Sequence, residues 1–535
     1  MNIAATPTSD KPQPTPEQGR FLTAVRNAMS ADSDTVIRMR LSGGPGTGKS
    51  FTVAQAANAA ADEGWSVLLM GPTHQATGVL AEAVPMAFPF DPDSGNGLTA
   101  GEIQYGTAHK MATWVQRSRS RGAAAGETDP VPRDSWLGRA FKRNWDAPPD
   151  GVLVFADETS MYHGQMANAV VAVCETIHRL CGKVIFVAVG DPDQLTPVRG
   201  PTYVYTEREG PETPSPLVSD RSFDDYNLVQ NVRAKSAVLR NVVTHFLTSK
   251  VVIPPPQDQT IYVWTDADER FFEHWADRIR TGGTESAIML GYRRAAVAQA
   301  NDRMCQILHG APAYQLSADR IMRVQQTYTP GGRTLAASSD LVRVLDVREV
   351  EHEIAEKLLP PAKGHKVAHD PAVISIFRDV LEIDIKQNGP FTVADVGVLG
   401  TRSGILRGVP VVVASEHGAM TPTMQRWGML EGSLFHAAFR RNHADATVRR
   451  GMGAIAYFVA DDAKLRLEAP YAMTSHRAQG STYRNVAVLA DNPMGGRIVD
   501  HRVESARDSS TYVMLSRASE SLTIAWTPRM TNGWF

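Results

Sequence analysis

Cysteine is scarce in this chain: Cys174, Cys181 and Cys305 are all that 535 residues contain. Three thiols at these positions make neither a disulfide framework nor a zinc spacing, and they fit a reducing, intracellular setting. Long apolar runs are missing too. The longest, such as Val184 to Val189, are strand-sized and far short of the roughly 20 residues that span a bilayer, so no membrane partner is expected. Met1 to Thr15 is rich in Thr, Pro and Ser and lacks the apolar centre of a signal peptide, so residues 1–14 read as a flexible leader and the location as cytoplasmic. Charge of one sign is also lacking. Lys and Arg number 55 against 57 Asp and Glu, a net charge of −2, so no global positive field advertises a nucleic-acid partner. A local basic groove would still suffice to neutralise phosphates.

What is present is a globular composition, 43% hydrophobic and 21% charged, in a chain long enough for about two to four domains. Short β-branched runs alternate with Ala-rich helical stretches, the signature of parallel α/β architecture. The strand candidates are Val36 to Leu41, Ser66 to Met70, Val152 to Ala156 and Val184 to Val189 in the first part. In the second they are Thr260 to Trp264, Ser286 to Leu290, Asn485 to Leu489 and Ser521 to Trp526. Most are nearly all apolar, as strands covered on both faces are. Two α/β units are expected, residues 15–215 and 216–535, parted in the Pro-rich stretch Gly210 to Pro216. Residues 110–150 interrupt the first with Lys110, Arg117, Arg119, Arg121, Arg133, Arg139, Lys142 and Arg143 among Trp114, Trp136, Phe141 and Trp145. Residues 335–455 interrupt the second, opening on a strand-like Asp340-Leu-Val-Arg-Val. The first insert is either a DNA-contacting element or a solvated basic loop.

The strongest chemical signal is Gly43-Gly44-Pro45-Gly46-Thr47-Gly48-Lys49-Ser50, placed between a strand and a helix that continues through Phe51. Glycines let backbone amides close around phosphates, and a helix N-terminus favours the anion. Lys49 is then the cation for the β- and γ-phosphates of ATP, and Ser50 a ligand for Mg²⁺. A second acidic element is required, and Asp157-Glu158 supplies it at the end of an apolar strand. Asp157 holds the metal through water and Glu158 polarises the attacking water. Gly190-Asp-Pro-Asp-Gln194 follows another buried strand, and Gln194 there is either a γ-phosphate contact or part of a plain turn. Thr15-Pro16-Glu17-Gln18 is a capping box by its spacing, while the same Gln18 amide has the donor and acceptor needed to read adenine.

Taken in order, these strings resemble the motifs of superfamily 1B DNA helicases, the RecD-like, Dda-type branch that moves 5′→3′. Thr15 to Gln18 resembles the adenine-reading motif, and Gly71-Pro72-Thr73-His74 and Thr107-Ala-His109 resemble DNA-contacting motifs. Leu228-Val-Gln-Asn-Val-Arg233 resembles the string that brings an arginine from the second domain. Tyr471-Ala-Met-Thr474-Ser-His476-Arg-Ala-Gln-Gly480-Ser-Thr482 and Tyr512-Val-Met-Leu-Ser-Arg517 resemble the last two motifs. The resemblance implies two RecA-like parallel-sheet domains in tandem, with an inserted wedge in 110–150 and a small β-barrel-like subdomain in 335–455. It implies ATP bound by Gln18, Gly43 to Phe51 and Gly480, Mg²⁺ on Ser50 and Asp157, and catalysis by Lys49, Glu158, Gln194, Arg233 and Arg517. Pro72, Thr73, His74, Thr107, His109, Thr474 and His476 would meet single-stranded DNA or an ss/ds junction. A monomer is implied, with a single-stranded-DNA-binding protein as a further partner. Three other readings compete: a single-strand translocase or protein-displacing remodeller, an assembly ATPase acting on protein, and a small-molecule kinase.

Overall fold

Along Val152–Ala156 and Val184–Gly190 every residue is buried, and alternate side chains go to opposite faces. Val152, Val154 and Phe186 pack with Val170, Val173 and Ile177 of the helix Gly164–Cys181. Leu153, Phe155, Ile185 and Val187 pack with Phe21 and Val25 of the helix Pro16–Ser30 and with Val53 and Ala57 of the helix Lys49–Asp62. Each such large side chain contributes about 1.5–3 kcal/mol by leaving water. That two-sided burial explains why these segments read as continuous apolar runs.

The computed structural model describes residues 13–72, 74–90, 99–108, 111, 150–194, 215–232, 236–249, 261–264, 269–330, 334–362, 364–399, 404–414, 420–439, 445–489 and 509–525. Two compact units meet in sequence at Lys235 and Ser236. The first holds β1 (Ile37–Gly43), β2 (Ser66–Gly71), β3 (Phe88–Pro89), β4 (Ile103–Thr107), β5 (Val152–Ala156), β6 (Val184–Gly190) and β7 (Asp224–Leu228). They form a seven-stranded parallel sheet in the order β3-β4-β2-β5-β6-β1-β7.

The last strand corrects the expected boundary at 215/216. β7 pairs with β1 from Met39↔Asp224 to Gly43↔Leu228, so the chain returns to the first sheet after the Pro-rich stretch. The strands on either side of that stretch, β6 and β7, belong to one sheet. The basic segment 110–150 lies outside the described residues except Met111 and Asp150, as do residues 1–12 of the leader.

The second unit contains β8 (Ile261–Trp264), β9 (Ala287–Gly291), β10 (Ile321–Val324), β11 (Leu341–Val350), β12 (Phe391–Val398), β13 (Gly404–Val413), β14 (Leu465–Glu468), β15 (Ala472–Thr474), β16 (Tyr483–Leu489) and β17 (Ala518–Ala525). Five of them make a parallel sheet, β15-β9-β16-β17-β8, and β10 to β14 close into a barrel. The fold is thus α/β, two parallel sheets in tandem with a small closed barrel inserted in the second unit. The barrel is wider in sequence than the expected 335–455, because Ile321–Val324 and Leu465–Glu468 pair with each other and close it. Between its strands the helices Pro371–Asn388, Pro422–Phe439 and Ala446–Asp461 form a layer around the buried Trp427, whose indole donates to the Val411 carbonyl at 3.1 Å. Among the described residues no helix is long and apolar enough to cross a membrane.

Candidate nucleotide site and motif strings

In a parallel sheet the carboxyl ends of neighbouring strands open on one edge, where ligands bind. β5, β6 and β1 are adjacent, and the acid pair, the Asp191–Gln194 turn and the Gly-rich loop follow them in that order. The sequence segments expected to share a site therefore do share one edge.

The loop after β1 is shaped by glycine where no other residue fits. Gly46 and Gly48 have φ of 79° and 85°, the left-handed region. A Cβ on Gly48 would also collide with the Gln18 amide nitrogen. Thr47 Oγ1 donates to the Gly44 carbonyl at 2.8 Å, and Lys49 Nζ donates to the carbonyls of Gly43 and Gly44 at 2.6 and 3.1 Å. Ser50 and Phe51 lie in the first turn of the helix that the loop opens.

Gln18 makes the capping box that its spacing predicts. Its Oε1 accepts from Thr15 N–H at 2.9 Å and its backbone N–H donates to Thr15 Oγ1 at 3.3 Å, while Nε2 donates to the Thr47 carbonyl at 3.0 Å. The amide that was a candidate for reading adenine is buried and bonded to the phosphate loop itself.

The string after β7 is bonded to the same loop. Asn231 Nδ2 donates to the Pro45 carbonyl at 2.9 Å and Val232 N–H to the Gly46 carbonyl at 2.7 Å. Glu17 Oε2 accepts from the N–H groups of Val229 and Gln230 at 3.2 and 3.3 Å. Leu228 to Val232 thus belongs to the first unit, which corrects its assignment to the second domain. Arg233 itself lies outside the described residues.

Asp157 and Glu158 are both nearly buried at the end of β5. Burial first, and Glu158 second, push the Asp157 carboxyl up to about 7, against the pull of the Glu158 N–H and Lys49. Glu158 takes a left-handed φ of 51°, unusual for a residue with a side chain. Two buried acids opposed by the Lys49 ammonium offer hard oxygen donors, and a divalent ion such as Mg²⁺ suits that donor chemistry. Among the described residues no cluster of three or more His, Cys, Asp or Glu forms a separate metal site.

Gln194 is buried in a turn organised by Asp191, whose two carboxylate oxygens accept from Asp193 N–H and Gln194 Nε2, each at 3.1 Å. The turn reading is therefore satisfied. Its Oε1 has no hydrogen-bond partner among the described residues.

Of the residues expected on DNA, Thr107 ends β4 in register with Gly71 of β2, and Pro72 follows β2 directly. Thr73 and His109 lie outside the described residues; His74 opens a helix, and its side chain is outside them also. In the second unit Thr474 ends β15 and stands just before the short helix Ser475–Ala478, which carries His476. Burial and then Arg294 hold the His476 imidazole below its ordinary value. Gly480 follows with φ of 83°. Arg517 is buried and bonds within its own unit: Nε donates to the Val513 carbonyl at 3.1 Å, Nη1 to the Ser481 carbonyl at 3.3 Å and Nη2 to Ser516 Oγ at 3.0 Å. The last two motif strings are thereby joined through this side chain.

Three residues escaped the sequence reading. Asn301 accepts from the N–H groups of Tyr471 and Ala472 at 3.1 and 2.9 Å and donates to the Ala472 carbonyl at 3.1 Å, holding the entry to β15. Its signal was a lone Asn on the apolar face of an Ala-rich helix. Glu17 and Asn231 bond to partners about 200 residues away, and no local pattern announces such contacts.

Residues 24–200 match the family model described as an AAA domain. No curated protein matches. Among solved structures, the chain is similar to the Pif1 helicase from Candida albicans at 16% identity, covering 96% of this chain and 95% of that one with a TM-score of 0.44. The Bacteroides Pif1 helicase in complex with ADP-AlF3 and ssDNA matches at 13% identity, with 95% and 92% covered and a TM-score of 0.47. At identities and TM-scores this low, no function carries across.

Proposed function

We propose that the chain is an ATP-dependent DNA helicase of the superfamily 1B kind, moving 5′→3′ on single strands and separating duplex. The observation that carries the reading is the convergence, on adjacent strands β1, β5 and β6, of a phosphate loop, a buried acid pair and a Gln-bearing turn. The AAA-domain match over residues 24–200 supports the nucleotide half of the reading. The DNA half rests on the resemblance of the motif strings, and the polarity on that resemblance alone.

Chemically, the loop amides and Lys49 bind and orient the β- and γ-phosphates, and Glu158 takes a proton from the attacking water. Mg²⁺, when bound by Ser50 and Asp157, supplies charge neutralisation on the phosphate oxygens. Gln194 positions the water. Arg517, and Arg233 from the end of the first unit, add the cationic charge that stabilises the transferred phosphoryl. Pro72, Thr73, His74, Thr107, His109, Thr474 and His476 contact sugar and phosphate without reading bases. The working form is a cytoplasmic monomer on an ss/ds junction, met there by a single-stranded-DNA-binding protein.

The test is ATP turnover with and without single-stranded DNA, followed by unwinding of duplexes bearing a 5′ or a 3′ tail. Turnover stimulated by DNA with unwinding of the 5′-tailed duplex is expected. Indifference to DNA points to an assembly ATPase, stimulation without strand separation to a translocase, and preference for the 3′ tail overturns the polarity.

A further inference from the structure

Three consecutive carbonyls of the phosphate loop are tethered from outside it. Pro45 is held by Asn231, Gly46 by the N–H of Val232, and Thr47 by Gln18. The chain has no cis peptide among these residues. In a planar trans peptide the C=O and the following N–H point in opposite directions. Tethering the carbonyls of Pro45 and Thr47 therefore turns the N–H groups of Gly46 and Gly48 away from the tethers. The middle tether leaves Thr47 N–H to close the loop's own turn on the Gly44 carbonyl, at 3.4 Å.

We propose that Asn231 is a positioning residue for the nucleotide: through the Pro45 carbonyl it presets the loop amides for the β- and γ-phosphates. It touches no reacting atom. Glu17 is the second half of the device, because its carboxylate accepts from Val229 and Gln230 N–H and so fixes the strap that presents Asn231. Val229 and Val232 are largely exposed, at 71% and 54%, so the strap is held by these polar bonds and not by burial of its own side chains. Such bonds specify direction, which apolar packing would not. Without the strap two glycines with φ near +80° would sample many loop shapes, and the nucleotide would have to order them on binding.

The inference rests on the nucleotide reading above, and the experiment separates the two. The affinity of the full chain for ATP and for AMP, which lacks the phosphates the loop holds, is measured for the parent, Asn231→Ala and Asn231→Asp, with steady-state turnover alongside. Asn231→Asp keeps the shape but has no donor, and it sets a carboxylate against the Pro45 carbonyl. Both variants should bind ATP about fivefold to tenfold more weakly, the worth of one hydrogen bond. AMP affinity and kcat should stay within about twofold, so that the loss falls on KM. Glu17→Gln, which retains an acceptor oxygen, should stay near the parent, while Glu17→Ala should shift the same way as Asn231→Ala. Hydrogen exchange over residues 43–50 without nucleotide should quicken in Asn231→Ala. Unchanged ATP affinity in both Asn231 variants overturns the proposal, as does equal weakening of AMP and ATP or a fall in kcat with KM unmoved. A parent chain that fails to bind ATP defeats the nucleotide reading instead.

Discussion

Replacing Gly48 by Ala places a methyl group where the phosphate loop has no room for one. The residue sits at φ of 85°, a conformation that costs an L-residue with a side chain about 1–2 kcal/mol. The new Cβ would run into Nε2 of Gln18, forcing that amide off the Thr47 carbonyl it bonds at 3.0 Å. Losing that bond adds about 1 kcal/mol. The sum, about 2–3 kcal/mol, falls on the shape of the loop. If the loop relaxes rather than the fold, ATP binds about 30- to 150-fold more weakly. Gln18→Ala alone loses the Thr47 bond and one partner of the cap. In the double variant the collision is gone and the Gly48 change adds only its φ cost to what Gln18→Ala has already lost, so together the two changes should cost less than the sum of their separate effects by the one shared bond, about 1 kcal/mol. The assay is a double-mutant cycle in ATP affinity and in chemical denaturation of the first unit. Additivity within about 0.5 kcal/mol would refute the reasoning, since it would mean that the Gln18 amide is not what the methyl group meets.

Glu158→Gln should keep ATP binding and lower turnover by about 10²–10⁴-fold, read in a steady-state ATPase assay, if this carboxylate takes the proton from water. Arg517→Lys removes the forked donors to the Ser481 carbonyl and the Ser516 hydroxyl, and should lower the Tm of the second unit as well as turnover by about a hundredfold; a turnover loss with an unmoved Tm would free Arg517 from its structural part. His274, His309 and His476, all in the second unit, are held below the ordinary imidazole value, in each case chiefly by burial. Their unfolded forms take up protons near pH 6.5 and their folded forms only lower, so stability is full above that value and is lost as pH falls through the folded values. The Tm of the second unit should therefore drop between pH 7 and pH 5.5, and a rise over that interval would contradict the burial.

β1, β2, β5, β6, β8, β9, β16 and β17 were legible as short apolar runs, which two-sided burial writes most clearly in Val152–Ala156 and Val184–Gly190, whereas the short β3, β4 and β15 were not. Asp224–Leu228 was not legible. It reads Asp-Asp-Tyr-Asn-Leu, carries one buried residue and lies at the sheet edge, so it lacks the apolar signal, and the boundary was placed on the wrong side of it. The barrel was half legible for a related reason. Leu341–Val350 is long and β-branched, whereas Ile321–Val324 and Leu465–Glu468 are four residues each and close the barrel only through pairings some 145 residues apart. In the site, the loop and the acid pair were visible as local strings. Gln18 was ambiguous because one amide can cap a helix, hold a loop or read a base, and sequence spacing determines only the first of these.

Lys49 is bonded to the loop that it is proposed to serve. Its ammonium donates to the carbonyls of Gly43 and Gly44 at 2.6 and 3.1 Å, so the cation is held over the loop it serves. The same ammonium lowers the Asp157 carboxyl against the larger upward pushes of burial and Glu158. A phosphate oxygen entering the loop competes for the ammonium with two neutral carbonyls, and the exchange favours the phosphate because a charged acceptor makes the stronger bond. As the ammonium turns to the phosphates, Asp157 shares its partner with a new anion while Glu158 remains beside it. On the proposed reading, Asp157, Glu158 and a polyphosphate around one Lys would leave negative charge in excess, and a divalent cation among these oxygens would restore the balance and favour the ionised form of Asp157. Nucleotide and Mg²⁺ should accordingly bind with positive linkage, each raising the affinity of the other by the same factor. Titrating ATP at fixed low and high Mg²⁺, and Mg²⁺ at fixed ATP, measures both sides after correction for the Mg–ATP complex in solution. Asp157→Asn removes one of the charges that demands the cation and should shrink the linkage; a linkage undiminished in that variant would place the metal on other ligands.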